Sequence, residues 1–268
     1  MRKCIFSAII LLLMFSSAAC SSEDKDKKTS TSNETTKELK QAEIGKLYDN
    51  PKKYKGYKVD FYARIFIDPE QDGDGTYIQA YANDNSNYNT IIGIDDPDLE
   101  VKDGDIIHVT GKVKDEYKGE NMMGATIIAP AIKADKIEVS DYATAFAPAI
   151  KTINVNKTID QHGYSITLQK IETAKKETRA YISIKNNTQD SISFYSFNAK
   201  LLVNSSQMEK LNEGHYEDIQ SDILPGVQTE GVLAFPKIPD SGQLKLHLEG
   251  SSDNFDINID PFEFTVIY

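Results

Sequence analysis

Tryptophan is absent from this 268-residue chain, and cysteine occurs only twice, at positions 4 and 20. So little sulfur leaves no disulfide framework to hold a fold. A chain of this length can bury ordinary apolar cores instead. Basic residues are also in short supply, with 30 Lys and Arg against 41 Asp and Glu. Nucleic-acid binders show the opposite balance, gathered in a stripe, because phosphate contacts supply most of their affinity. Here the acids are spread along the sequence. That argues against nucleic acid and against direct adhesion to anionic lipid. The four histidines, His108, His162, His215 and His247, do not fall at metal-ligand spacing. Neither a nucleophile elbow nor a phosphate loop occurs, and carboxylate pairs such as Asp95/Asp96 are too common in an acidic chain to mark a glycosidase. Beyond the first twenty residues no apolar run approaches the roughly 20 residues that a membrane-spanning helix needs.

What is present begins at the first residue. Met1-Arg2-Lys3 is a short positive segment, an apolar run follows from Ile5 to Phe15, and Ser16-Ser17-Ala18-Ala19 leads to Cys20. A positive end, a short apolar stretch and small residues are the three parts of an export signal. Ser17-Ala18-Ala19-Cys20 resembles the bacterial lipobox, although position 17 is more often Leu. The resemblance implies cleavage of residues 1–19 and a diacylglyceryl group on the Cys20 sulfur. Two or more acyl chains give stable anchoring, at ~0.8 kcal/mol per buried CH₂. The mature chain would then have no free thiol. Cleavage would also remove Arg2 and Lys3 and none of the acids, leaving a formal charge of −13. The expected location is the outer face of a cell membrane, most simply in a Gram-positive bacterium.

Residues 20–40 are polar and charged, SSEDKDKKTSTSNETTKELK after the cysteine, and are expected to form a disordered tether. Folded segments follow. Ala42–Asp49 has the spacing of a short helix, with Ile44, Leu47 and Tyr48 on one face, and Asn50-Pro51 stops it. Val59, Phe61, Ala63, Ile65 and Ile67 alternate with Asp60, Tyr62, Arg64 and Phe66 as in a half-buried strand. Further strands are expected at Thr76–Ala82, Thr90–Ile94, Ile106–Lys114 and Ile132–Val139, with Asp103-Gly104-Asp105 as a tight turn. The stretch from Asn50-Pro51 to Tyr54-Lys55-Gly56, the segment from Gly104-Asp105 to Val109-Thr110-Gly111-Lys112-Val113, and Pro130 to Ile137 resemble small OB-fold domains of the tRNA-anticodon-binding-like group. The resemblance implies a closed five-stranded barrel over 41–140, in which Gly111 would allow a sharp strand bend. A connector is expected at 141–151.

From 152 to 268 the period-two pattern returns. Tyr164/Ile166/Leu168, Ala180/Ile182/Ile184, Leu244/Leu246/Leu248 and Phe262/Phe264/Val266 mark half-buried strands, and the continuous apolar run Val232–Phe235 reads as a central one. About seven such strands with turns between them indicate a β-sandwich. Glu177 to Thr188 and Ile223 to Phe235 resemble an immunoglobulin-like extracellular domain of Gram-positive lipoproteins, a family that implies no particular activity. The expected fold is therefore all-β: a signal peptide and tether, an OB-fold-like barrel, then an Ig-like sandwich.

Two clusters stand out as candidate sites. Asp68, Glu70, Asp72 and Asp74 alternate before a glycine, as hard-cation loops do, so Ca²⁺ is one expectation. A polar hairpin loop whose glycines take positive φ is the competing one. Tyr62, Arg64 and Phe66 on one strand, beside Tyr77 and Tyr81 on the next, could form an aromatic platform for a sugar ring or base. Cross-strand pairing, or packing beneath loops or the second domain, would use the same residues structurally. The leading functional expectation is a non-enzymatic binding or adaptor module for an envelope protein or a cell-wall polymer. A cell-envelope hydrolase and an OB-type nucleic-acid or oligosaccharide binder are the alternatives.

Overall fold

A computed structural model describes residues 37–120, 124, 126–212 and 215–268. The export segment, Cys20 and most of the expected tether lie outside them. Among the described residues strands dominate, and the fold is all-β.

Five long strands build the first part, with the two-residue strands Glu38–Leu39 and Glu70–Gln71 beside them: β1 (Lys58–Ile65), β2 (Thr76–Ala82), β3 (Asn89–Ile94), β4 (Ile106–Glu120) and β5 (Thr126–Ser140). β1 pairs antiparallel with β4, β4 antiparallel with β5, and β5 in parallel with β3. β3 then pairs with β2, and β2 returns to β1 through Ala63↔Ala82, Arg64↔Tyr81 and Ile65↔Ala80. The hydrogen-bonded circuit thus closes on itself. The alternation read from the sequence decides which residues face its interior: Val59, Phe61, Ala63, Ile65, Ile78, Ala80, Ile92, Ile107 and Val109 are all buried. Gly111 lies where β4 crosses β5 at a register shift, and a Cβ there would come within 2.3 Å of the Lys133 carbonyl.

Four expectations change here. Ile67 does not join the core; it is half exposed, because β1 has already ended at Ile65. The strands expected at Ile106–Lys114 and Ile132–Val139 are longer, each fifteen residues, and their pairing continues to Glu120↔Thr126 as a hairpin arm. Finally, residues 37–40 are not tether. Glu38–Leu39 pairs in parallel with Lys58–Val59, and Leu39, the one apolar side chain of that segment, is buried. The expected helix is also divided, into a 3₁₀ turn at Gln41–Glu43 and α1 (Gly45–Asp49), with Ile44 and Leu47 buried.

α2 (Tyr142–Ala145) occupies the connector, capped by the Asp141 carboxylate, which accepts from the Thr144 amide at 2.9 Å. Ten strands of three or more residues follow, besides the two-residue strand Asp222–Ile223: β6 (Lys151–Gln161), β7 (Tyr164–Thr173), β8 (Glu177–Asn186), β9 (Ile192–Phe194), β10 (Lys200–Val203), β11 (Ser206–Glu209), β12 (Gln228–Pro236), β13 (Gln243–Leu248), β14 (Gly250–Ser252) and β15 (Phe262–Ile267). One sheet runs β12-β8-β7-β6, another β11-β10-β13-β15, and β9 pairs with β14 and with Asp222–Ile223. A single apolar core that includes Ile166, Ile182, Phe194, Leu201, Phe235, Leu246 and Phe264 draws on all of them. It is separate from the core of the first part.

The apolar run Val232–Phe235 was expected in a central strand, yet β12 is the outermost strand of its sheet. Its edge is covered instead: the Leu211 amide donates to the Ala234 carbonyl at 2.8 Å. An edge strand protected in this way can be apolar without inviting another chain to pair with it.

Candidate functional site

The outward residues of β1 and β2 come together as the sequence suggests, but the structure separates them into three settings. Tyr62 stacks on His108, with centroids 4.6 Å apart, and meets the edge of Phe146 at 6.4 Å. Arg64 is clasped by Asp84, with Nε to Oδ1 at 2.7 Å and Nη2 to Oδ2 at 3.3 Å. Asp84 reaches it from a turn in which Asn83 and Asp84 both take positive φ, a conformation in which Asn and Asp are enriched. The Arg64 guanidinium also lies over the Tyr142 ring, 5.9 Å from its centroid. Phe66 and Tyr81 stack on one another at 4.0 Å, nearly parallel. Tyr77 stands apart opposite Gly93, its ring at van der Waals distance from where a Cβ there would stand. Burial, with the carboxylates of Asp72, Asp74 and Asp95 nearby, raises its phenol pKa.

Tyr62 and Arg64 therefore face the connector. From Tyr142 the aromatic contacts continue into the sandwich. Its ring stacks on His215 at 3.8 Å and meets Tyr216 edge-on at 5.7 Å. Behind Tyr216 lies a charged cluster. Arg179 projects from the outer face of β8, opposite Ala180 and Ile182, and would be exposed on an uncovered sheet. It is 1% exposed, because the connector and the loop bearing Tyr216 close over it. Its Nη1 donates to the Ala147 carbonyl at 2.6 Å, to Glu177 at 2.9 Å and to Tyr216 at 3.2 Å. Nε and Nη2 donate to one Glu172 oxygen at 3.2 and 2.8 Å.

Glu172 receives further donors, Tyr181 at 2.8 Å and Lys170 at 2.6 Å. Burial opposes its charge, but the hydrogen bonds from Lys170, Tyr181 and Arg179 outweigh it and hold the carboxyl below the ordinary glutamate value. Tyr181 moves the other way: burial, and the proton it donates to Glu172, push its phenol up to about 12. Tyr216 is raised by burial and by its hydrogen bond to Glu177. The cluster is a satisfied network in which each buried charge has a partner.

Two clefts flank it. One, of about 680 Å³, lies between Asn83, Asp84, Tyr142, Phe146 and the Lys175–Glu177 turn. The other, of about 390 Å³, is bordered by Glu177, Lys210, His215, Tyr216 and Val232. Nothing in the spacing of Tyr142, Arg179, His215 and Tyr216 along the chain marks them as neighbours. One signal was available: Glu177-Thr178-Arg179 puts two charges on a strand whose neighbours are apolar.

The acidic loop is organised by its own backbone. The Asp72 Oδ1 accepts from the amides of Asp74 and Gly75 at 2.8 and 3.0 Å, and Asp68 accepts from the Asp103 amide at 3.2 Å. Asp68, Glu70, Asp72 and Asp74 are exposed. Among the described residues no three acidic, histidine or cysteine side chains are grouped as a metal site.

No family model matches the sequence, and no curated protein does. Among solved structures, a functionally unknown protein from Listeria monocytogenes EGD-e is similar at 10% identity with a TM-score of 0.34, covering 46% of this chain and 86% of its own. A conserved hypothetical protein from Bacillus anthracis is similar at 12% identity with a TM-score of 0.31, covering 38% of this chain and 95% of its own.

Proposed function

We propose that the chain is a lipid-anchored extracytoplasmic adaptor, held through Cys20, in which an OB-type barrel and an Ig-like sandwich act as one body. The strand circuit and the parallel β3–β5 pair support the barrel reading. The seam carries the adaptor reading. Tyr142 lies between Arg64 on one side and His215 and Tyr216 on the other, so the residues that could have formed a ligand platform hold the two parts in register. A fixed pair of β modules offers one composite surface to an envelope protein. Crosslinking in intact cells followed by capture of the chain tests this. Recovery of a defined envelope protein, lost when Tyr142→Ala loosens the seam, is the expected result, whereas turnover of a wall substrate by the purified mature chain would overturn it. Acylation is tested separately, by the mass of the membrane-extracted chain and its Cys20→Ala variant.

A second reading rests on the Phe66–Tyr81 stack. It lies outside the seam and, with Tyr77, could receive a wall glycan. Titration with soluble glycan fragments, watched at these three rings by NMR, distinguishes it from the adaptor.

A further inference from the structure

The acidic excess is not evenly laid out on the folded surface. Between Lys52 and Lys58 the sequence KKYKGYK has four lysines and no acid. This segment pairs with Lys112-Val113-Lys114: the Gly56 amide donates to the Val113 carbonyl at 2.8 Å, and the Val113 amide to Tyr57 at 2.9 Å. On the outward face Lys58 stands directly opposite Lys112, and Lys112 directly opposite Lys133. Like charges in directly opposed positions destabilise a sheet; Glu38 stands opposite Lys58 at one end of the row and Asp95 pairs with Lys133 at the other, which leaves Lys112, in the middle, without a facing acid.

Three neighbouring acids are engaged with lysines of their own. Asp115 is paired with Lys55, Glu116 with Lys52 and Lys118, and Asp95 with Lys133. Lys53, Lys58 and Lys112 are exposed and have no ion pair among the described residues. Lys37 lies over the ring of the partly exposed Tyr57, and Lys53 over that of Tyr54, which is itself buried.

The same edge is where the chain arrives from Cys20. The Lys58 amide donates to the Lys37 carbonyl at 2.9 Å, and Lys37 is the first described residue. Sixteen residues lie between it and Cys20, a reach of at most about 60 Å when fully extended. We propose that the Lys53–Lys58–Lys112 face is a docking surface for anionic phospholipid headgroups, which lays this edge of the barrel on the bilayer while the acidic remainder is repelled from it. The orientation rests on the lipid-anchor reading; the affinity for headgroups does not.

The test uses the mature chain from residue 20 with Cys20→Ser, so that no acyl group contributes. Flotation with phosphatidylglycerol vesicles should show binding that is absent with phosphatidylcholine and suppressed by salt. The triple variant Lys53→Gln, Lys58→Gln, Lys112→Gln should weaken it roughly 100-fold, at the strength expected for three lysines near an anionic surface. Lys185→Gln, Lys237→Gln, Lys245→Gln on the sandwich should leave it unchanged. Relief of like-charge repulsion should keep the melting point of the first triple variant at or above that of the parent, so misfolding is separable from lost binding. Failure to bind phosphatidylglycerol vesicles, or equal loss in both triple variants, overturns the proposal. So does saturable binding of soluble polyglycerol phosphate without vesicle binding, which would make a wall polymer the occupant. None of these outcomes bears on Cys20 acylation, which the mass of the native chain reports.

Discussion

Two arginines face the connector, one from each part of the molecule, and they are used differently. Arg64 on the first part is about a quarter exposed and pairs with the equally exposed Asp84. Arg179 on the sandwich is enclosed and meets two glutamates that are themselves nearly enclosed. The residue type is the same, but the coverage is not. Water screens the first pair, so little is gained by making it or lost by breaking it. The second group was removed from water when the connector closed over β8, so each charge now depends on the others. The first part's side of the seam is thus adjustable, and the second part's side is fixed.

Removing the enclosed arginine should give the largest effect. Arg179→Ala leaves Glu172 and Glu177 buried without their cation, and a loss of about 3–5 kcal/mol is expected in urea unfolding. A loss below about 1 kcal/mol would mean that water reaches the cluster and that the contrast between the arginines is false. Glu172→Gln should cost less, about 1.5–3 kcal/mol, the worth of hydrogen bonds to a charged group. Its pH dependence sharpens the comparison. The folded pKa of Glu172 lies below the ordinary 4.5, so its charged form stabilises the fold fully above 4.5 and ceases to do so as pH falls through the folded value. The stability gap between parent and Glu172→Gln should therefore narrow on acidification and be constant above pH 5. A gap that widened in acid would reverse the sign and exclude the cluster as its origin.

Tyr142→Ala removes the ring shared by the two sides. Each aromatic contact contributes about 0.5–1.5 kcal/mol. The more informative outcome is the shape of the calorimetric trace: the parent should melt in one transition, and the variant should begin to separate into two. Arg64→Ala is the smallest, at about 0–1 kcal/mol. Should it match Arg179→Ala, exposure would not be what separates the two residues.

Much of the fold was legible because a strand has period two. Val59 to Ile65 and Ala180 to Ile184 needed only alternation to place their buried faces, whereas Gly111, expected to allow a strand bend, turned out to sit at a close approach to the Lys133 carbonyl. Lengths and edges were not legible. The hairpin arm beyond Lys114 carries charges in place of an apolar stripe, so its pairing left no hydrophobic signal. β12 is continuously apolar for a reason that lies outside itself, in the segment that covers it. Leu39 was one apolar residue in a charged stretch, too little to announce a strand. Of the candidate platform, the sequence put Tyr62, Arg64, Phe66, Tyr77 and Tyr81 on one outward face. It could not show that α2 would cover part of that face.

By itself, then, the sequence determined the β character, the separate apolar patterns of the two cores and the outward placement of the aromatic and acidic candidates, all of which follow from local periodicity and turn chemistry. Tertiary structure alone decided which outward residues stayed outward. Arg179 and Glu172 became interior, Tyr62 and Arg64 became part of a seam, and lysines far apart in sequence became a row, because enclosure and cross-strand register depend on contacts between distant segments.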